Sequence, residues 1–360
     1  MKTTIVTIER LVYGGKGLGY LDRKPVFVPF VLPGEKVKVH IERHHSQFLE
    51  AELLEVLEPA PDRIAPPCPY FGKCGGCQWQ HINYETQLVW KQKILEETLI
   101  RTGKVENPKV LSTIPAPKIW NWRSRITLHS NERGAVGFFE ANTHRVVDIE
   151  NCKISDEDLN LQLKEIRGRT MDHGPWTKRD YELKSTTQLG FTQVNPLQNE
   201  NLKKLLLEWA KPLPHENIIE LFCGGGNFTE ILIPLAKKIA AVDSDRNCIE
   251  HAVKTLKKEN VQFICSDAVR YYAQLPKETP VDLLVLDPPR DGASGVVEGV
   301  LKTNPTNILY ISCNPATLAR DIKYLKDFAG YELVQSQPID MFPMSYHIEC
   351  LSWIRQKFVA

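Results

Sequence analysis

The chain has 360 residues, enough for two or three domains with cores of their own. Its 45 lysines and arginines against 44 acids exclude a globally basic polyanion binder, so nucleic-acid contact has to come from local patches. The sequence shows neither a charged-then-apolar leader nor an apolar run near the roughly 18 residues of a membrane span. A cytoplasmic protein with no membrane contact is expected, and in that reducing compartment the nine cysteines are expected to ligate or catalyse rather than pair.

Residues 1–57 alternate apolar and polar positions in short runs, Thr4–Ile8, Val26–Val28 and Lys36–Ile41, punctuated by Gly14-Gly15-Lys16-Gly17-Leu18-Gly19 and Pro33-Gly34. That pattern predicts a small β-barrel, OB-like in size. The glycine cluster precedes a strand rather than a helix, which removes a phosphate cradle and leaves a flexible hairpin. Prolines 59, 61, 66 and 67 then mark a linker.

Residues 58–185 read as a central α+β domain. It opens with Cys68, Cys74 and Cys77 spaced by glycines, and Cys152 is the one other cysteine before residue 223. Four thiols suit an iron–sulfur cluster or structural zinc. The single Cys-x-x-Cys hook with an outlier on each side favours a [4Fe-4S] cluster, with zinc as the second reading. Tyr84 to Thr102 predicts one amphipathic helix. Lys118, Arg123, Arg125 and Arg145, interleaved with Trp120 and Trp122, are candidates for a basic, aromatic RNA-facing surface, against the alternative of an ordinary sheet with core tryptophans.

From 186 to 360 strands alternate with helices, as in an α/β Rossmann-like sheet. The apolar run Ile218–Phe222 leads into Cys223-Gly224-Gly225-Gly226-Asn227, whose glycines let the backbone approach a ligand. Later runs end at Asp243, Asp267 and Asp287, the strand ends where open α/β sheets bind ligands. A nicotinamide dehydrogenase is disfavoured because Gly-x-Gly-x-x-Gly spacing is missing. Asp287-Pro288-Pro289-Arg290 holds an acid on a stiff turn, and Cys313 closes another apolar run. With Glu349 downstream, these residues suggest a thiolate nucleophile beside a carboxylate base.

Leu221–Thr229, Asp287–Gly292, Ser312–Asp321 and Phe342–Glu349 together resemble the successive signatures of the S-adenosylmethionine-dependent RNA uracil-5-methyltransferases. The four cysteines and a barrel similar to a TRAM domain place the resemblance nearest the branch that modifies 23S ribosomal RNA. Ser345, where the family usually has threonine, keeps the hydroxyl. The resemblance implies a three-part chain: a TRAM-like RNA-binding barrel at 1–57, a cluster domain at 58–185 and a methyltransferase domain at 186–360. It implies cofactor contacts from Gln193, Phe222, Asn227, Asp243, Asp267 and Asp287. Without it, Gln193 reads as a loop residue and Asp243 and Asp267 as caps.

The implied chemistry uses Cys313 to add to carbon 6 of uracil, making carbon 5 nucleophilic toward a sulfonium methyl group. Glu349 then removes the carbon-5 proton and Asp287 positions the base; His347 is more simply structural. The target uridine must be flipped or already unstacked in 23S ribosomal RNA. A monomer is expected. The rivals are a transfer-RNA uracil-5-methyltransferase with the same chemistry, and a non-catalytic iron–sulfur RNA-binding protein.

Overall fold

A computed structural model describes residues 3–172, 178–185 and 193–357. The chain divides into two compact units. The first takes in Met1–Ile94, Pro117–Gln188 and Phe342–His347, and the second Leu95–Ala116, Leu189–Met341 and Ile348–Ala360.

In the first unit, β1 (Thr3–Leu11), β2 (Gly17–Leu21), β3 (Lys24–Val28), β4 (Lys36–His44) and β5 (Leu49–Glu58) close a barrel in the order β1-β2-β3-β5-β4. Alternation puts Val6, Ile8, Val26, Val28, Val37 and Val39 inside, each at most 2% exposed. The glycine cluster forms the predicted hairpin between β1 and β2, with Gly14 and Gly15 at positive φ in its turn, and its later glycines are also a packing device. A Cβ on Gly19 would stand 2.4 Å from the Thr7 carbonyl oxygen, and one on Gly17 2.4 Å from Val31 Cγ2. The proline-rich segment is likewise fixed, because the Arg63 guanidinium donates from Nη2 to Glu35 at 2.8 Å and to the Phe30 carbonyl at 2.7 Å. Burial alone would raise the Glu35 pKa; Arg63 and the Leu32 and Ala60 N–H groups reverse that and hold it below the usual value.

The predicted helix forms as α1 (Tyr84–Arg101). Beyond it, β6 (Arg125–Ser130), β7 (Val136–Phe139), β8 (Val146–Asp148), α2 (Glu157–Asp172) and β9 (Arg179–Lys184) build a four-stranded antiparallel sheet, β8-β7-β6-β9, whose inner face meets α2 through Leu159 and Leu163. The excursion 342–347 belongs to this unit because Gln78 and Trp79 donate their N–H groups to the Met344 carbonyl, both at 3.1 Å. His347 packs there against the rings of Tyr346 and Phe342.

The second unit runs α3 (Pro196–Ala210), β10 (Asn217–Leu221), α4 (Thr229–Leu232), β11 (Lys238–Asp243), α5 (Arg246–Thr255), β12 (Val261–Cys265), α6 (Ala268–Gln274), β13 (Leu283–Leu286), α7 (Ser294–Thr303), β14 (Asn307–Ser312), α8 (Pro315–Ala329), β15 (Tyr331–Ile339) and β16 (Glu349–Gln356). The sheet order is β12-β11-β10-β13-β14-β16-β15, parallel except for the pairs that include β16. Strand order reverses between β10 and β13, so their C-terminal ends open a crevice. β13 and β14 are buried at every position, as central strands covered on both faces must be. Pro338 is tolerated because β15 is the last strand of the sheet. Isolated bridges from Val110 and Ile114 to β15 cover part of that edge.

Candidate active site and cysteine cavity

β16 runs against its neighbours, so its beginning lies where β13 and β14 end. Ser312 pairs with Cys350, and one step further the register sets Cys313 against Glu349. In the parallel ladder Leu286 pairs with Tyr310, which brings Asp287 to the same edge. Three residues separated by up to 62 positions in the chain therefore converge through strand register alone.

What surrounds them sets their charge. Cys313 is half-buried, and burial followed by the Glu349 carboxyl pushes its thiol up to about 11, with Asp287 adding and Arg290 opposing. Glu349 is 3% exposed; burial and then Asp287 hold its carboxyl well above the ordinary range, again against Arg290. Solvent reaches part of Asp287, yet the enclosing protein and then Asp243 lift it to about 7. The group thus holds more protons at neutral pH than its members would separately, and added positive charge would drive them off.

The turn carrying Asp287 is bolted to the segment carrying Cys313. Asn314 Nδ2 and Thr317 Oγ1 donate to the Arg290 carbonyl at 3.0 and 3.1 Å. Asp321, 1% exposed, accepts from the Ala293 N–H and the Tyr310 hydroxyl, both at 2.8 Å, and from Arg320 Nε at 2.9 Å. Asn314 caps α8 through the Ala316 N–H, so the helix begins immediately behind the cysteine.

At the crevice Phe222 has φ 65°, a left-handed conformation costly for a phenylalanine, at the point where β10 breaks into its turn. Gly226 follows at φ +88°, where a Cβ would also meet Leu256 Cδ1 at 2.5 Å. Asp243 Oδ2 accepts from the Gly224 N–H at 2.8 Å and Oδ1 from the Asp245 N–H at 2.8 Å. Asn227 exchanges amide hydrogen bonds with Asn199, both 2.9 Å. Asp267 is exposed and caps α6 through the Arg270 N–H at 2.8 Å. Gln193 is half-buried two residues before the Asn195 cap of α3, while Phe191 and Thr192 lie outside the described residues. Glu220 drew no attention as a sequence, although a carboxylate inside the apolar run Ile218–Phe222 was the available signal. It is 1% exposed, accepts the Thr229 hydroxyl at 2.6 Å, and leaves its other oxygen without a partner among the described residues.

In the first unit Cys68, Cys74, Cys77 and Cys152 line one cavity of about 40 Å³ together with Gln80 and Arg123. Asn160 grips the Cys152 backbone from both sides, accepting its N–H at 2.8 Å and donating to its carbonyl at 3.1 Å. Burial pushes the Cys74 thiol to about 11 and the Cys77 thiol to about 12, with the other cysteines adding. Arg123 borders the thiols rather than facing RNA, and burial lowers its pKa while those sulfurs raise it. Trp122, 5% exposed, is a core residue packed edge-on against Phe342. Among the described residues no three His, Cys, Asp or Glu side chains stand as a single metal ion requires. The zinc reading gains nothing from the geometry, and no metal site is shown. No described helix is long and apolar enough to cross a membrane.

Comparison with known proteins gives the constellation its context. Residues 2–54 match the TRAM domain and residues 170–357 the tRNA (uracil-5-)-methyltransferase family. An uncharacterized RNA methyltransferase of Bdellovibrio bacteriovorus is 32% identical across 97% of this chain and 94% of its own length. The 23S rRNA (uracil(1939)-C(5))-methyltransferase of Acidithiobacillus ferrooxidans is 30% identical across 96% of each. The solved tRNA (uracil-54, C5)-methyltransferase of Pyrococcus abyssi, in complex with S-adenosyl-L-homocysteine, has the same fold at a TM-score of 0.70 and 22% identity, over 97% of this chain and all of that one. This chain therefore belongs to the tRNA (uracil-5-)-methyltransferase family and is an S-adenosylmethionine-dependent RNA uracil-5-methyltransferase with an N-terminal TRAM domain.

Proposed function

We propose that the protein methylates carbon 5 of a uridine in 23S ribosomal RNA through a covalent Cys313 adduct. The observation that carries the mechanism is the β14–β16 register, which sets Cys313 against Glu349 while the β13 turn delivers Asp287 and Arg290. S-adenosylmethionine, when bound, supplies a methyl group activated by a sulfonium charge. Phe222, Asn227, Asp243, Asp267, Asp287 and Gln193 are its proposed contacts, at the strand ends where this sheet opens. The glycine turn, the strained Phe222 and the unsatisfied Glu220 oxygen fit a polar, cationic ligand.

The Cys313 sulfur adds to carbon 6 and the ring's electron pair moves to carbon 5, which would form the new bond to methyl as the sulfonium–methyl bond breaks and a neutral thioether leaves. Glu349, in its ionised form, takes the carbon-5 proton; the electron pair re-forms the ring double bond and breaks the bond from Cys313 to carbon 6. Asp287 orients the base by hydrogen bonding. A thiol held near 11 even with Arg290 beside it is a poor nucleophile at neutral pH, so further positive charge arriving with the cofactor would be what makes the thiolate accessible.

The choice of 23S ribosomal RNA rests on the full-length relatives named for that substrate. The four cysteines are proposed to hold a [4Fe-4S] cluster, supported by their convergence on one cavity beside Arg123. As thiolates they would anchor its irons and stiffen the 68–77 and 150–155 loops. The domain limits 1–57, 58–185 and 186–360, a monomeric state and a cytoplasmic site of action complete the reading.

The deciding assay supplies methyl-labelled S-adenosylmethionine with unmodified ribosomal and transfer RNA, then maps the label. 5-Methyluridine in large-subunit RNA is expected. Label confined to transfer RNA would overturn the substrate, and no label from folded, iron-loaded protein would return the chain to a binding role.

A further inference from the structure

Glu220 is the buried acid that this mechanism does not use. It lies two strand residues before the glycine turn, and its bond to the Thr229 hydroxyl joins the two ends of that turn. Asp243 ties the same turn through the Gly224 N–H. Adjacent strands thus bring three carboxyls to one crevice: Glu220 on β10, Asp243 ending β11 and Asp287 following β13. The other ionisable groups facing this cluster are Cys223 in the turn, Cys248 of α5 behind it, and Cys313, Glu349 and Arg290 beyond Asp287. Burial first, then Asp287 and Asp243, raise Glu220 to about 8 against the opposing Thr229 bond. Three negative charges in one low-dielectric pocket are mutually destabilising, so a proton is retained until a cation enters.

We propose that Glu220 is the charge-selecting residue of the cofactor site, releasing its proton when the cationic methyl donor binds and regaining it when methyl transfer leaves a neutral thioether. The inference rests on the S-adenosylmethionine reading of that crevice. The balance is simple. Binding the sulfonium adds one positive charge and expels one proton to solvent. Methyl transfer removes the sulfonium charge, and a proton from solvent returns to Glu220, separately from the carbon-5 proton that Glu349 takes. Product then occupies a pocket to which its charge contributes nothing, whereas donor holds an ionised Glu220. By linkage, the donor gains affinity over product as pH rises toward the Glu220 pKa.

Isothermal titration calorimetry of the full protein, run near pH 7 in buffers of different ionisation enthalpy, counts the protons released. S-adenosylmethionine and S-adenosylhomocysteine are the two probes; they share the same amino-acid end, so its titration cancels in the difference. Wild-type protein is expected to release close to one proton more with the donor, and Glu220→Gln to lose that difference along with about tenfold of its preference for donor over product. Equal release for both ligands by wild-type protein, or an undiminished difference in Glu220→Gln, overturns the inference. If Glu220→Gln does not fold, Thr229→Val decides: removing the hydroxyl should move the pH of greatest difference upward, and an unmoved maximum is a refutation. Protein that binds neither ligand sinks the cofactor-site reading itself, whereas binding with equal proton counts sinks this inference alone.

Discussion

Two regions of this protein surround thiols with low-dielectric protein and raise their pKa to similar heights, about 11 for Cys313 and about 11 and 12 for Cys74 and Cys77. Their neighbours differ. Around Cys313 the partners are carboxyls and the exposed Arg290, so its protonation answers to whatever charge enters the crevice. Around Cys74 and Cys77 the partners are other thiols and the enclosed Arg123, with no carboxyl among the groups that shift them. A raised thiol pKa therefore marks neither inertness nor reactivity. The distinction lies in the neighbours: carboxyls and an exposed guanidinium around Cys313, further thiols and an enclosed guanidinium around Cys74 and Cys77.

The sharpest way to break this comparison is to remove the thiol from each region. Cys313→Ala should lower methyl transfer by at least about 10³-fold while S-adenosylmethionine binding by calorimetry stays within about twofold. Residual turnover near wild type would show that the crevice thiol is no nucleophile. Glu349→Gln should slow turnover by about 10²–10⁴-fold and let protein–RNA adduct accumulate on denaturing gels. A slow variant with intact RNA binding and no adduct would remove Glu349 from the base role. Cys152→Ser should instead strip iron, read as lost visible absorbance, and lower stability by about 2–4 kcal/mol, leaving the chemical step within tenfold when RNA is saturating. An iron content unchanged from wild type would separate Cys152 from the cavity's function.

Much of this contrast was legible beforehand, for reasons that differ by region. Cys313, Asp287 and the glycine turn announce themselves because each ends an apolar run, and strand ends collect ligands in this architecture. The barrel was legible from alternation, but the purpose of Gly17 and Gly19 was not, since only the approach of β1 shows that a Cβ has no room. Arg123 and Trp122 stood between an RNA surface and a sheet with core tryptophans because sequence cannot tell which face of β6's approach turns inward; the burial of Trp122 against Phe342 favours the second, and Arg123 borders the thiols. Glu220 and Asp321 passed unassigned because their partners, Thr229, Ala293 and Tyr310, lie on separate elements that only the fold brings together.

The smallest expected effect compares how each region holds its cysteine. Asp321 accepts three hydrogen bonds from a fully buried position and locks the loop after Arg290 to β14 and α8, while half-buried Asn160 secures the Cys152 backbone with two. Asp321→Asn keeps the shape but loses the charge opposite Arg320 and sets an amide N–H2 against donors, so at least one buried bond fails. A loss of about 1–3 kcal/mol is expected in urea unfolding, with Asn160→Ala costing about 1 kcal/mol. The readout that separates positioning from bulk stability is the rate of adduct formation at saturating RNA and cofactor. Asp321→Asn should slow it about tenfold or more, since a small displacement of the Asp287 turn relative to Cys313 spoils the attack geometry. Asn160→Ala should leave it within about twofold and lower iron retention instead. If both variants lower stability alone and neither changes its own region's readout, the hydrogen-bond networks behind the two thiols are scaffolding common to the fold and do not position either one.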